Sequence, residues 1–390
     1  MARVETGLDV LVHRRAAVLR GRRFALLAHQ ASVDGRLTHA AELLGDLRGT
    51  RLVRLLAPEH GLWGAEQDHA PIRATRDAAT RLRVWSLYGA RRVPTPAMLR
   101  GLDALVIDLQ DVGSRYYTFA WTMLLAMSAC ARAGVPVIVL DRPNPLGGER
   151  VEGNLPDPAF ASFVGLHPLP VRHGLTIGEL ARHLNAERAI GCRLTVIPMR
   201  GWRRGMLWED TEVPWVAPSP NMPTPDTARV YAGGCLIEGT NLSEGRGTTR
   251  PFELVGAPFL DPHRYARALE RLAPPGVRFR PVRFIPTFHK WAGRSCGGVQ
   301  LHVVDRARFK PFLTGLAVIA AARRTAPRAF AWRRPPYEFE RRRLPIDILC
   351  GTDRIRVALE AGEPLGRIER GWEADLRTWR RRRAPALLYR

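Results

Sequence analysis

Five short apolar runs, at 23–28, 51–57, 104–108, 135–140 and 193–198, constrain this chain more than any other feature. Rich in Val, Ile and Leu and closed by turn residues, they predict buried strands. Helical patterns fall between them. One covers about 38–47, with Thr38 as N-cap; another covers 118–133 and is closed by Gly134; a third starts at Thr176, whose spacing to Glu179 is that of a capping box. An alternating run at 83–88 predicts a further strand at an edge, and Pro94-Thr-Pro opens a short helix. Strands alternating with helices predict an α/β fold, a doubly wound and mainly parallel sheet through about residue 200.

After that the rhythm changes. Residues 202–227, rich in Trp and Pro, read as an ordered covering loop, because their aromatic rings would be costly to leave in water. Helical patterns at 262–272, 307–324 and 352–361 then mix with strand-like runs at 278–285 and 298–304, which predicts a second, smaller α+β domain. The expected division is 1–230 and 231–390.

In a parallel sheet the carboxyl ends of the strands share one rim, and ligands bind beyond it. Glu59, Asp108 and Asp141 each follow a strand, so the fold is expected to gather them. Two readings of the turn after 104–108 stand side by side. Asp108, Gln110, Asp111 and Arg115 face a ligand there, or Asp108 caps the turn while Asp111 pairs with Arg115.

The net charge of +23 comes almost wholly from arginine, since lysine occurs only at Lys290 and Lys310. That bias is what a GC-rich coding sequence produces. The basic clusters are short and scattered, with no zinc-finger spacing, RNP pattern or basic heptad, so no nucleic-acid partner is expected. Cys130, Cys192, Cys235, Cys296 and Cys350 stand far apart without a C-x-x-C pair, which favours a reduced compartment. The first residues contain no apolar signal core and no run is long enough to span a membrane, so a cytoplasmic protein is expected. A homodimer is compatible with the sequence.

No G-x-S-x-G elbow, Walker A loop, G-x-G-x-x-G after a strand or H-E-x-x-H is present, which argues against esterase, nucleotide hydrolase, dehydrogenase and zinc protease. His29, His60, His69, His173 and His289 lack metal-ligand spacing, and neither metal nor cofactor is expected. The chain instead offers carboxylates in Gly- and Pro-rich loops: Glu59, Asp108, Asp111, Glu152, Glu238 and Glu244. A pair of acids facing each other across a cleft is the machinery of glycosidic cleavage. Trp63, Tyr116, Tyr117, Asn144, Asn221 and Asn241, in the same loops, suit a sugar with its apolar ring faces and its hydroxyls.

The motifs resemble one family, the exo-β-N-acetylmuramidases of the NamZ type. The matching stretches are APEHGLWG (57–64), VWSLYG (84–89), PTPAML (94–99), DLQDVGSRYYT (108–118), LDRPNPLGGERVEG (140–153), VGLHPLPVRHGLTIGELA (164–181), APSPNMPTP (217–225) and IEGTNLSEGRGTTRPFE (237–253). The resemblance implies a Rossmann-like domain joined to a smaller one, with the active site in the cleft between them. It also implies hydrolytic release of N-acetylmuramic acid from the non-reducing end of peptidoglycan fragments, so the implied partner is a muropeptide or glycan. Glu59 is then the first choice as general acid/base and Glu152 the second, with Asp108, Asp111 and Glu244 as competitors. The Asp108/Asp111 pair also suits orientation of the substrate acetamide. His60, Gln110, Arg115, Tyr116, Asn144, Asn221, Asn241 and Glu244 are implied substrate contacts. Arg246, between two glycines, is the favoured partner for the lactate carboxylate. A non-catalytic cell-wall glycan-binding protein would use the same cleft. One departure is the turn Ala28-His-Gln-Ala-Ser32, where the resembling proteins more often carry an asparagine. A copy that begins directly with its domain suits recycling of imported fragments.

Overall fold

The computed structural model describes residues 3–67 and 75–390. Its larger sheet has seven strands: β1 (Arg23–Ala28), β2 (Arg51–Ala57), β3 (Thr75–Arg76), β4 (Arg83–Ser86), β5 (Ala104–Asp108), β6 (Val137–Leu140) and β7 (Leu194–Ile197). Their order is β3-β4-β2-β1-β5-β6-β7. All neighbours are parallel except β3, which runs antiparallel along β4. The strand expected at the edge is therefore one position in, with β3 covering its outer side. From β1 the chain winds outward to β2 and β4, then returns to set β5 on the other flank of β1. Such a reversal opens a crevice beyond the carboxyl ends of the strands.

Both faces of this sheet are buried. In β1, Phe24, Leu26 and Ala28 pack with Leu55, Val106 and Ile138 on one side, while Ala25 and Leu27 join Leu56, Ile107 and Val139 on the other. The two-residue period of a strand lets one apolar run serve two cores, so the runs are continuous rather than alternating. The helix Phe119–Arg132 is buried around most of its circumference. Its core continues to Val299 and Leu316 in the C-terminal half.

Helix starts follow side-chain chemistry. Thr176 and Glu179 form the anticipated capping box of Ile177–Glu187. The helix expected from Thr38 begins later, as Ala40–Gly45, because the Thr38 N–H is taken by Asp34 (2.8 Å) and His39 accepts the Ala41 N–H instead (3.2 Å).

The smaller sheet joins β8 (Leu254–Ala257), β9 (Val277–Phe284) and β10 (Cys296–Val303) in the order β8-β10-β9, all antiparallel. The helix Pro311–Thr325 crosses Pro225–Gly234 at Gly315 and Gly233, where a side chain on either residue would strike the backbone of the other helix. The last residues return to the larger sheet. There Trp379 donates to the His173 carbonyl (2.9 Å), the Leu388 N–H to Glu179 (2.8 Å) and the Tyr389 hydroxyl to Asp141 (2.5 Å). Among the described residues no helix is long and apolar enough to cross a membrane, and the five cysteines are buried free thiols.

Candidate active site

A narrow cleft of about 50 Å³ opens beyond the carboxyl end of β2, and its walls come from both halves of the chain. The first wall is the turn after β2, where Pro58 leads into Glu59 and His60. His60 (φ +70°) and Gly61 (φ +80°) reverse the chain sharply. Glu59 Oε2 accepts from the Thr118 hydroxyl at 2.7 Å, so this turn is tied to the loop that follows β5. His60 Nδ1 lies 2.8 Å from the Glu66 carbonyl, which can only accept; Nδ1 therefore carries the proton.

Ser219, Asn221 and Met222 form the second wall. They belong to the Trp/Pro-rich segment, which is indeed an ordered cover. His29 Nδ1 meets the Pro218 carbonyl (3.3 Å), Gln30 donates to the Ala217 carbonyl, and Asn221 donates to Gln67 (2.9 Å). Tyr116, Tyr117 and Thr118 also line the space. Burial pushes the Tyr116, Tyr117 and Tyr231 phenols well above their usual range, so they remain protonated.

The C-terminal half supplies Tyr231, Glu238, Arg246, Phe252, Tyr337 and Glu338. Glu238 accepts from Arg246 (2.9 Å) and from the Tyr337 hydroxyl (2.8 Å). Behind Arg246 stands Glu244, 3.3 Å from Arg246 Nε, 2.8 Å from Lys290 Nζ and 3.1 Å from His289 Nδ1. Burial alone would raise the Glu244 carboxyl, yet Lys290, His289 and Arg246 hold it far below the usual carboxylate range. Lys290 also donates to the carbonyls of Ile237 (3.0 Å) and Thr240 (3.1 Å), which locks this charged group to the backbone.

Of the residues anticipated as site residues, Glu59, His60, Tyr116, Tyr117, Asn221, Glu238 and Arg246 line the cleft, and Glu244 stands behind it. The others are placed differently. Asp108 is fully buried in a bidentate pair with Arg142 (2.5 and 2.8 Å), which also donates to the Val33 carbonyl. Asp111 accepts the Gly113 N–H (2.6 Å) and lies 3.3 Å from His173 Nε2, not against Arg115. Arg115 is buried and donates to the carbonyls of Asn154, Leu169 and Leu349 (2.8–2.9 Å), with desolvation lowering its pKa. Gln110 donates to the carbonyls of Asp111 (2.7 Å) and Pro143 (2.9 Å). Asn144 bridges the Leu175 carbonyl and the Leu146 N–H (both 2.9 Å), and Asn241 bridges the Ala329 carbonyl (2.8 Å) and the Ala331 N–H (3.0 Å).

Glu152 accepts the Leu313 N–H at 2.9 Å, near the start of Pro311–Thr325, where a carboxylate satisfies an end group that the helix itself cannot. Burial raises its carboxyl to about 7, against the Leu313 N–H and the charge of Arg172, which pull it down. Asp141 is likewise raised to about 7 by burial; it accepts from Thr176 (2.8 Å), the Gly178 N–H (2.7 Å) and Tyr389 (2.5 Å). Glu59, Asp108 and Asp141 thus share a rim, but only Glu59 opens on the cleft. The two central acids are drawn into the protein because their positions between helices and loops leave backbone donors and an arginine to satisfy.

Sequence reasoning missed Thr118, Val164, Ser219, Met222, Tyr231, Phe252, Tyr337 and Glu338 as lining residues. Tyr337 and Glu338 sit in an arginine-rich stretch with no periodic signal. Among the described residues no three His, Cys, Asp or Glu side chains are grouped to hold a metal, and His69 lies outside those residues.

The model of the exo-β-N-acetylmuramidase NamZ N-terminal domain matches residues 24–226, and that of its C-terminal domain matches 229–389. The chain is 42% identical over 387 residues to the peptidoglycan β-N-acetylmuramidase NamZ of Bacillus subtilis (strain 168), covering 99% of this chain and 92% of that one. Two crystal structures of DUF1343 family proteins from Bacteroides fragilis NCTC 9343 also match. One has a TM-score of 0.90 and 33% identity with full coverage of both chains; the other has 0.79 and 28%, covering 100% of this chain and 99% of that one.

Proposed function

Because the chain belongs to the NamZ family of exo-β-N-acetylmuramidases, we propose that its cleft receives the terminal muramic acid of a peptidoglycan fragment, with Glu59 exchanging the proton. The protein is a glycoside hydrolase that releases N-acetylmuramic acid from the non-reducing end. The cleft lies between the two parts of the chain, 1–230 and 231–390, so that closing on a sugar engages both.

The observation that carries the assignment is the contrast between Glu59 and Glu238. Both oxygens of Glu238 are engaged, by Arg246 and by Tyr337, whereas Glu59 is held by the hydroxyl of Thr118. Glu59 therefore gives its proton to the glycosidic oxygen as the bond to the anomeric carbon breaks, and the saccharide beyond leaves as an alcohol. Positive charge then grows on the sugar ring, and the fixed carboxylate of Glu238 faces it at no cost in reorganisation. Water then adds to the anomeric carbon and gives its proton to the Glu59 carboxylate, which restores the acid. Asp108 and Asp111 are already bonded within the protein, so orientation of the acetamide falls to cleft residues such as Asn221 and the buried tyrosines. Arg246 is the one Arg or Lys among the described lining residues, and it suits the lactate carboxylate that distinguishes muramic acid from glucosamine. A cytoplasmic role in recycling fragments is consistent with five thiols left free.

The test is hydrolysis of a chromogenic β-N-acetylmuramide. Wild type should turn it over, and Glu59→Gln should lose about 100- to 10,000-fold in kcat with the fold intact. Full activity in that variant would remove Glu59 from the mechanism. Binding without turnover by wild type would favour a glycan-binding protein.

A further inference from the structure

Exposed aromatic rings are few on this molecule and are not scattered. Among the described residues they are Trp63 (54% exposed), Phe288 (37%) and Phe339 (47%). None lines the cleft itself, but each stands close in the chain, or against the backbone, of a different segment that does. Trp63 follows Glu59 and His60 in the same turn; its indole N–H donates to Asp77 (3.2 Å) and its ring lies 5.0 Å from His39, so it is held in place. Phe288 sits beside Arg246, because the Thr287 N–H donates to the Gly247 carbonyl (2.9 Å) and a side chain on Gly247 would press on the Phe288 backbone. The next residue, His289, meets Glu244. Phe339 directly follows the lining residues Tyr337 and Glu338. Glu338 (φ +44°) and Phe339 (φ +69°) both take a backbone conformation that is costly for L side chains. The Phe339 ring is braced 5.7 Å from Tyr88 and 6.0 Å from Phe163, with the Arg92 guanidinium 4.3 Å from its centre.

Single exposed apolar side chains need no explanation, but every exposed ring flanking one cleft does. We propose that Trp63, Phe288 and Phe339 form a platform at the cleft mouth for the saccharide units beyond the scissile bond. The proposal rests on the muramidase reading: if the terminal sugar fills the cleft, the leaving glycan lies across its mouth. The C–H face of a pyranose packs on an aromatic face, and braced rings lose little entropy on binding. The platform favours a glycan over a small aglycone, and it acts on the part of the substrate that departs.

The experiment compares kcat/KM on a muramyl-terminated peptidoglycan tetrasaccharide with kcat/KM on 4-nitrophenyl N-acetylmuramide. Trp63→Leu, Phe288→Leu and Phe339→Leu should each lower the ratio of the first to the second by roughly 2- to 10-fold, mainly through KM on the tetrasaccharide. Phe339→Tyr, which keeps the ring, should retain the wild-type ratio. In parallel, calorimetric titration of Glu59→Gln protein with the tetrasaccharide should show weaker binding when any of the Leu changes is added. Hydrolysis with unchanged ratios in all three Leu variants would overturn the platform and leave the muramidase reading standing. Absence of turnover, with tetrasaccharide binding still lost in the Leu variants, would do the reverse. No tetrasaccharide binding at all would overturn both.

Discussion

Glu152 offers the sharpest separation of a catalytic acid from a structural one. Its carboxyl is buried at the start of Pro311–Thr325, accepts the Leu313 N–H at 2.9 Å and is raised from 4.5 to about 7. For an acid whose folded pKa is raised, the folded state holds its proton more tightly than the unfolded one. Below pH 4.5 both states are protonated and nothing is lost. Between pH 4.5 and 7 the unfolded chain ionises while the folded chain does not, and stability falls at about 1.4 kcal/mol per pH unit. The full cost, about 3 kcal/mol, is reached above pH 7. Glutamine mimics the protonated acid and still accepts from the Leu313 N–H. Glu152→Gln should therefore be within about 1 kcal/mol of wild type in urea unfolding at pH 5 and roughly 2–3 kcal/mol more stable at pH 8. Its turnover should stay within a few-fold of wild type. A folded variant that has lost a hundredfold or more in turnover, or one whose stability gain does not grow between pH 5 and pH 8, would rule out a purely structural Glu152.

Arg246→Ala should reduce kcat/KM on muramides by roughly 10- to 100-fold, the worth of a charge-assisted contact, and leave any activity on glucosaminides less affected; equal loss on both would discard the lactate role. Arg142→Ala strands Asp108 as a buried, uncompensated carboxylate and should cost about 3–5 kcal/mol in urea unfolding, while Asp108→Asn combined with Arg142→Met should recover much of that loss. Gly113 has φ +77° and leaves no room for a side chain against Asn144. Gly113→Ala should lower stability by roughly 1–3 kcal/mol, read as a lower melting temperature, and disturb the loop that carries Tyr116 to Thr118.

What sequence reasoning missed follows a physical pattern. Glu59, Asn221 and Arg246 were readable because acids and amides in Gly- and Pro-rich turns stand where backbone comes close to a ligand. The same signal misplaced Asp108, Arg115, Asn144 and Asn241, because loops that are themselves buried need charged and amide side chains to satisfy carbonyls and N–H groups. Arg115, with three carbonyl partners drawn from residues 154 to 349, is such a case.

The amino-acid order by itself settled the periodicities. Continuous apolar runs with helices between them can bury both faces only in a parallel α/β sheet, and the Thr176–Glu179 spacing can cap a helix without help from elsewhere. Local chemistry of that kind needs no distant partner. Which carboxylate would meet a sugar was decided by contacts between residues tens to hundreds of positions apart: Arg142 claiming Asp108, a helix end claiming Glu152, Tyr389 claiming Asp141. An acid's role depends on which donors the folded chain brings to it, and that is fixed only when distant segments pack together.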